Sequence, residues 1–592
     1  SVNAQPLPSG FKKGIYNKAV IMIGNKTKYT QTLLKELDAI KSQPDETLAQ
    51  TSLKHLFSRS DINDQKLHKK QHEETVADVL LLNSEQREAV SSLLTENLTV
   101  VTGPPGTGKS QVVMGAVANA RLQDQSVLFA SRNHKAIDAV VDRLEDNNGN
   151  SLIIRTNSKE DPTLNYTFSH AVNDLLKNNL DSGSEKKFHR QLSKLDKLLT
   201  KRGEHAAVLD QIYSLRDETG ELEENLAWLH EELPESLLSE LSDKYLNIDT
   251  GRISNMDILI DFVIRYTDKN TVENRITYFF EWMKILRSWF STAGVLKDLS
   301  QDSVLDLFPP ILSEKLTSVD VTLLEGIKNY IDWKHKLIPL EESMKELPQS
   351  AGLVEDVAEV SEKIKSLTAD LLTLHSQSHG GLPADGDYRE NMASLNVALK
   401  QLRRGFENKT QRDEAEKRLS EFIPRLLQNF PCWAVTNLSA GSRIPLYPGI
   451  FDLAVIDEAS QCDIASAIPI LFRAKRAAVV GDPNQLKHVS KLTIGKDSIL
   501  RRRAGLIDLD DMRYSYRETS LYDLFAQTNI ISPHLLRETY RSFSEIAEYS
   551  NNVFYKGMLR VATDEGGLKV PRGTKRGIHW SNVLGPVVSA GR

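Results

Sequence analysis

The sequence predicts an α/β protein, a parallel sheet flanked by helices and interrupted by a long all-helical insertion. Three observations predict it. Apolar runs of strand length, "LTVVT" (98–102), "QSVLFAS" (125–131), "FDLAVID" (451–457) and "RAAVVGD" (476–482), alternate with helical stretches, as parallel strands with crossover helices do. A Gly/Pro turn, "GPPGTGKS" (103–110), joins the first run to a helix. About 320 residues of heptad character separate the second run from the third.

With 592 residues, several domains are expected. Hydrophobic content of 40% and charged content of 26% fit a globular protein. The net charge of −6, from 74 basic and 80 acidic residues, neither demands nor excludes nucleic acid, because a local basic groove can sit in an acidic total. Two cysteines, Cys432 and Cys462, exclude a disulfide framework or a zinc set and point to a reducing, cytoplasmic compartment. With no run of 18 apolar residues and no signal peptide, no membrane partner is expected. Ser1 in place of Met reads as a trimmed start.

Residues 1–82 read as an N-terminal α/β segment, with a strand at "AVIMIG" (19–24) and a helix at "YTQTLLKELDAIK" (29–41). His68 and His72 lie one helical turn apart without a third ligand, so they read as a solvated face rather than a metal site. Residues 83–160 form the leading half of the sheet domain, opening on "NSEQREAVSSLL", a capped helix with Ser84 ahead of Glu85 and Arg87. The insertion spans 161–414. Phe188, Leu192, Leu195, Leu199, Arg202, Ala206 and Leu209 make a seam with one basic interruption. Leu353, Val357, Val360, Ile364, Leu367, Leu371 and Leu374 repeat the spacing. The two predict an antiparallel coiled coil reaching ~60 Å, with a helical tip over 234–345. The aromatic stripe "TYFFEWMKILRSWF" (277–290) reads as core packing rather than a base-stacking platform. "SHGGLPADGD" (378–387) ends the return arm, and a helix over about 388–429 leads back. The sheet domain resumes over 415–530, and 531–592 begins a further core.

The turn fits the phosphate-loop pattern G-x-x-x-x-G-K-[ST]. Gly103, Pro104, Pro105, Gly106, Thr107 and Gly108 would wrap backbone N–H groups around phosphate oxygens, at the positive end of the following helix. Lys109 would neutralise the β- and γ-phosphates and Ser110 would ligate Mg²⁺. This explains a second feature: Asp457 and Glu458 stand side by side at the end of a run that reads as a buried strand. Buried carboxylates are costly unless something binds them. Asp457 can hold the Mg²⁺ through water, and Glu458 can orient and deprotonate the attacking water. ATP and Mg²⁺ are the expected cofactors. A condensin-type ATPase is disfavoured because "LSAGS" (438–442) leads into Pro445 and Pro448 and not into a helix. A hexameric ATPase of the AAA+ type is disfavoured for want of its arginine and asparagine sensors.

Five ordered motifs carry a resemblance. They are "LNSEQREAV" (82–90), with Gln86 lying 17 residues ahead of Gly103, "FASRNHKAIDAVVDRL" (129–144), "DEASQ" (457–461), "GDPNQL" (481–486) and "LRETYRSFSEIAEYSNNVFYKGML" (536–559). Together they resemble superfamily 1 helicases of the up-frameshift and senataxin branch, especially bacterial members. The resemblance covers roughly 83–160 and 430–560. It implies a monomeric motor with two RecA-like cores, moving 5′ to 3′ on single-stranded DNA or RNA. It also implies that Gln86 reads adenine, Tyr540 stacks on it, Gln485 touches the γ-phosphate and Arg541 reaches that phosphate from the second core. Ser131, Asn133 and Thr436 match positions that contact strand phosphates, with helix capping and turn formation as the alternative. The last two motifs of the family would follow position 592, so the second core is only begun. This polypeptide alone is therefore expected to bind ATP–Mg²⁺ but to hydrolyse it slowly and not to unwind. A protein partner or a duplex is expected at the tip of the arm. The competing function is a nucleotide-gated interaction protein whose motor is vestigial.

Overall fold

The computed structural model describes residues 28–57, 75–156, 168–178, 182–244, 257, 260, 318–382, 386–404, 414, 417, 421, 426–506, 512–528 and 533–563. The expected strand at 19–24, the histidine pair at 68 and 72 and the aromatic stripe at 277–290 lie outside them. The described residues divide into two compact units, one within Ser1–Leu199 and Ile364–Arg592, the other within Thr200–Lys363.

The first unit is built on a seven-stranded sheet. Its strands are β1 (Leu98–Thr102), β2 (Val127–Ser131), β3 (Ile154–Arg155), β4 (Cys432–Thr436), β5 (Phe451–Asp457), β6 (Ala474–Gly481) and β7 (His534–Leu535), in the spatial order β3-β4-β2-β5-β6-β1-β7. Every pairing is parallel. A parallel sheet is covered on both faces, which is why β1, β2 and β5 are continuous apolar runs and not alternating ones. The core includes Val100, Leu128, Trp433, Phe451, Ile456 and Val479. Parallel register brings all carboxyl ends to one edge: Thr102 pairs with Gly481, and Ser131 pairs with both Thr436 and Asp457. Binding crevices of open parallel sheets lie at that edge. A separate two-stranded sheet pairs β8 (Glu538–Thr539) with β9 (Arg560–Val561).

The sequence did not reveal β3, β4 or β7. The helix expected over 388–429 is helical at its described residues, Gly386–Arg404, 414, 417, 421 and 426–429, and chain expected in no strand then enters the sheet as β4. The helix at 84 is capped by Asn83, not Ser84: the Asn83 side chain accepts from Gln86 N, and the Gln86 side chain accepts from Asn83 N. This reciprocal pair occupies two of the orphan donors at the helix start.

A buried ion pair ties the N-terminal helix Lys28–Lys41 to this unit. Arg473 is fully buried and donates to Glu36, to Ile444 O at 2.7 Å, to Pro469 O at 2.8 Å and to Pro445 O at 3.0 Å. Gly441 lies against the Glu36 carboxyl, where a Cβ would collide with it.

The outgoing helix runs Ser182–Glu232 and the returning helix Ser350–His379. Along the expected seam Phe188, Leu195, Leu199, Arg202, Leu209, Val360, Ile364 and Leu371 are buried. Pairing is antiparallel: in the first unit Ser184 bonds Gln377 and the Phe188 ring meets His375, while in the second His205 faces Asp356 and Arg216 bonds Ser350. The second unit has its own core, including Leu229, Leu237, Leu241, Leu324, Ile327 and Tyr330. This helical unit is narrower than the expected insertion. The base of the returning helix packs beside the sheet, where Arg121 donates to His375 Nδ1 and Ser376 Oγ and Asn147 bonds Asp370 and Thr373.

Candidate nucleotide site

Gly106 (φ +83°) and Gly108 (φ +84°) adopt the left-handed backbone that glycine takes without steric cost. They turn the chain from β1 into the helix Lys109–Leu122, whose first N–H groups have no intrahelical acceptor and so suit an anion. Gly103 N donates to Gly481 O at 2.9 Å, fixing the loop to the end of β6. A Cβ on Gly103 would collide with the Lys109 side chain, whose Nζ donates to Gly103 O at 2.5 Å. Thr107 closes the loop onto Pro104 O at 2.8 Å, while Pro105 O accepts from Thr539 at 3.3 Å. Ser110 follows Lys109 in the first helical turn.

Two strands away, Asp457 ends β5 and is 4% exposed. Burial, with the Glu458 charge adding to it, pushes its carboxyl up to about 6, while the Glu458 N–H and Lys109 pull it down. Lys109 and Asp457 thus act on each other electrostatically, and Asp457 lacks enough positive charge to be comfortably ionised. A divalent cation would supply it, and a carboxylate is a chemically suitable Mg²⁺ ligand. Glu458 takes a left-handed conformation (φ 54°), rare for a residue with a side chain. Its N–H donates to Asp457 Oδ1 at 2.8 Å and its Oε2 accepts from Gln461 Nε2 at 3.0 Å.

The raised Asp457 pKa makes a stability prediction. A carboxyl that titrates higher in the fold than in the unfolded chain imposes no penalty below about 4 and its full penalty above about 6. Asp457→Asn should therefore stabilise the nucleotide-free chain by up to about 3 kcal/mol at pH 8, with the gain vanishing near pH 4. Urea unfolding at both pH values checks it, and an unstabilised variant at pH 8 would rule it out.

Gln86 is buried. Its Nε2 donates to Thr107 O and to Gln111 Oε1, both at 3.1 Å, and its Oε1 accepts from Asn83 N at 3.1 Å. One amide proton thus braces the phosphate loop and the other the first turn of the helix after it. Tyr540 is 44% exposed, donates its hydroxyl to Glu538 and accepts from Asn83 Nδ2 at 3.3 Å. Burial first, then Glu538, pushes that phenol up to about 12. The Tyr540 backbone N–H donates to Gly106 O at 3.1 Å, and Arg541 Cβ lies where a Gly106 Cβ would go. The Tyr540–Arg541 segment therefore rests on the phosphate loop. Gln485 Nε2 donates to the buried Asp482 at 3.0 Å. The structure adds Asn83, Gln111 and Asp482 to the site; Asn83 and Asp482 stand inside the quoted motifs, but Gln111 carries no signal.

The three strand-contact residues share the carboxyl edge. Asn133 is exposed and caps its helix by accepting from Lys135 N at 3.1 Å. Thr436 is half-buried and donates to Ser439 Oγ at 2.8 Å. Ser131 is fully buried and accepts from Asn133 N at 3.2 Å, so no strand phosphate reaches its hydroxyl in this arrangement. Capping and turn bonds are thus what all three make.

Among the described residues, one other group has metal-ligand chemistry: Asp124, His375 and His379. It does not fit a metal. His375 Nδ1 accepts from Arg121 Nε at 3.2 Å, which leaves the ring proton on Nε2, facing Asp124 at 3.3 Å. Burial drives His375 down to about 4, so the ring is neutral and has no lone pair left for an ion.

Comparison with known proteins agrees with this geometry. A family model described as "AAA domain" matches residues 81–258 and 318–491. The "Uncharacterized ATP-dependent helicase MG140" of Mycoplasma genitalium is 24% identical over 68% of this chain and 39% of its own length. Its homolog in Mycoplasma pneumoniae is 24% identical over 78% of this chain and 44% of its own length. The chain thus spans about two fifths of the length of these relatives. "Helicase SEN1" of Saccharomyces cerevisiae is 32% identical over 19% of this chain and 4% of its own length. No helix among the described residues is long and apolar enough to cross a membrane. With phosphate loop, acidic pair and the Tyr540–Arg541 segment gathered on one edge and more than half of the chain matched, the chain belongs to this AAA-domain family.

Proposed function

We propose that the protein is an ATP-driven motor that moves 5′ to 3′ along a single strand of nucleic acid. The observation that carries it is the contact of the Tyr540–Arg541 segment with Gly106 of the phosphate loop, since a site shared between two cores converts nucleotide state into relative motion. ATP would seat its phosphates in the 103–110 loop, with Lys109 against the β- and γ-phosphates. Ser110 and Asp457 would hold Mg²⁺, which when bound offsets phosphate charge. Glu458 takes the proton of the attacking water, and Arg541 meets the charge developing on the γ-phosphate. Asn133 and Thr436 offer strand contacts on the same edge.

The test measures ATP turnover of the full-length protein with matched single strands of DNA and of RNA. At least one is expected to raise turnover several-fold. Bound ATP with turnover unmoved by either strand would overturn the motor and favour the nucleotide-gated interaction protein. A second prediction concerns the arm. Deleting 188–375 should leave ATP affinity intact while changing strand separation, and lost affinity would instead make the arm part of the core.

A further inference from the structure

The turn after β6 and the end of the helix Ser544–Phe554 are joined by two hydrogen bonds away from the phosphate loop. Asp482 is 1% exposed. Its Oδ1 accepts from Asn484 N at 3.0 Å, and its Oδ2 accepts from both Gln485 Nε2 at 3.0 Å and the Tyr555 hydroxyl at 2.7 Å. Asn484 Nδ2 donates to Phe554 O at 3.1 Å. Tyr555 is itself buried, and burial followed by Asp482 holds its phenol well above the ordinary range, so it remains a proton donor at any physiological pH. The helix that ends beside Tyr555 begins three residues after Arg541. One stretch, 538–555, therefore touches the phosphate loop at its start and the Gln485 turn at its end.

We propose that Tyr555 is a positioning residue for ATP hydrolysis: its hydroxyl and the Gln485 amide share one oxygen of Asp482, so Gln485 is held in register only while the Arg541-bearing segment is docked. The proposal rests on the motor reading and names how its two γ-phosphate groups are coupled. A buried carboxylate oxygen with two donors fixes both donors in direction. Removing the phenol proton leaves Asp482 with one fewer donor, and Gln485 loses its fixed orientation. Nothing in the phosphate loop changes, so ground-state binding of ATP is untouched.

The experiment, on the full-length protein, compares strand-stimulated kcat and KM for ATP in the wild type, Tyr555→Phe, Gln485→Ala and the double variant. Tyr555→Phe is expected to lower kcat about tenfold with KM held within roughly twofold. Added to Gln485→Ala it should lower kcat no further, because the latch acts only through Gln485. A loss of overall packing would instead move KM and add to the Gln485→Ala defect, and additive losses overturn the proposal. Slowed Gln485→Ala beside wild-type kcat in Tyr555→Phe overturns the latch alone. Unchanged kcat in Gln485→Ala overturns both the role of Gln485 in the motor and the latch. Should Tyr555→Phe not fold, Asn484→Ala cuts the second link at an exposed position and enters the same cycle, with a smaller drop in kcat expected and wild-type kcat counting against the latch.

Discussion

Glu458→Gln is expected to lower ATP turnover by roughly 10²–10⁴-fold while leaving ATP affinity almost unchanged, the size of effect a lost general base produces. The substitution is nearly isosteric. Its amide oxygen can still accept from Gln461 Nε2, and its backbone can keep the left-handed turn that starts the chain after β5. What disappears is the capacity to take a proton from water. Steady-state turnover beside equilibrium binding of a fluorescent ATP analogue separates the two quantities. Turnover at the wild-type rate would strip Glu458 of its role. A large loss of affinity would make it part of nucleotide binding.

The second large effect concerns stability. Glu36→Ala should destabilise the sheet unit by roughly 3–5 kcal/mol, because Arg473 would remain fully buried with its charge uncompensated. Burial already holds the Arg473 guanidinium below its usual range, with Glu36 opposing that shift. Its three bonds to the carbonyls of Pro445, Ile444 and Pro469 satisfy donors but supply no negative charge. Replacing both partners together, Glu36→Leu with Arg473→Met, should recover most of the loss, since well-packed apolar groups often match a buried ion pair. Chemical unfolding of the two variants decides it. A Glu36→Ala loss under about 1 kcal/mol would show that the pair is well solvated.

The legible portions of the fold were those with a local period or a fixed spacing. β1, β2, β5 and β6 each carry an apolar stretch, at 100–101, 127–130, 453–456 and 477–480, and the seams of the two long helices repeat over many turns. β3 and β7 have two residues each, too few to carry any period. β4 is "CWAVT", and it becomes a strand by pairing with β2 and β3, contacts that no local pattern announces. The helix cap is ambiguous in sequence because Asn83 and Ser84 are both good caps. The choice falls to Asn83 because Gln86, three residues on, answers it reciprocally. In the site, the phosphate loop and acidic pair were legible because their chemistry demands fixed spacing. Gln111 bracing Gln86 and Tyr555 bonding Asp482 were not, since each partnership is made by tertiary approach.

The sheet's order has a consequence for how the chain is made. β2 ends at Ser131, and its neighbours β4 and β5 begin at Cys432 and Phe451. A ribosome working at roughly 5–20 residues per second needs about a quarter of a minute to a minute to deliver them. Throughout that interval β1 and β2 exist as apolar ribbons without partners, each with a backbone edge open to the wrong neighbour. Birth of the phosphate loop therefore precedes its shelter, and a nascent-chain chaperone that shields such segments should govern the yield of this protein more than its finished stability does.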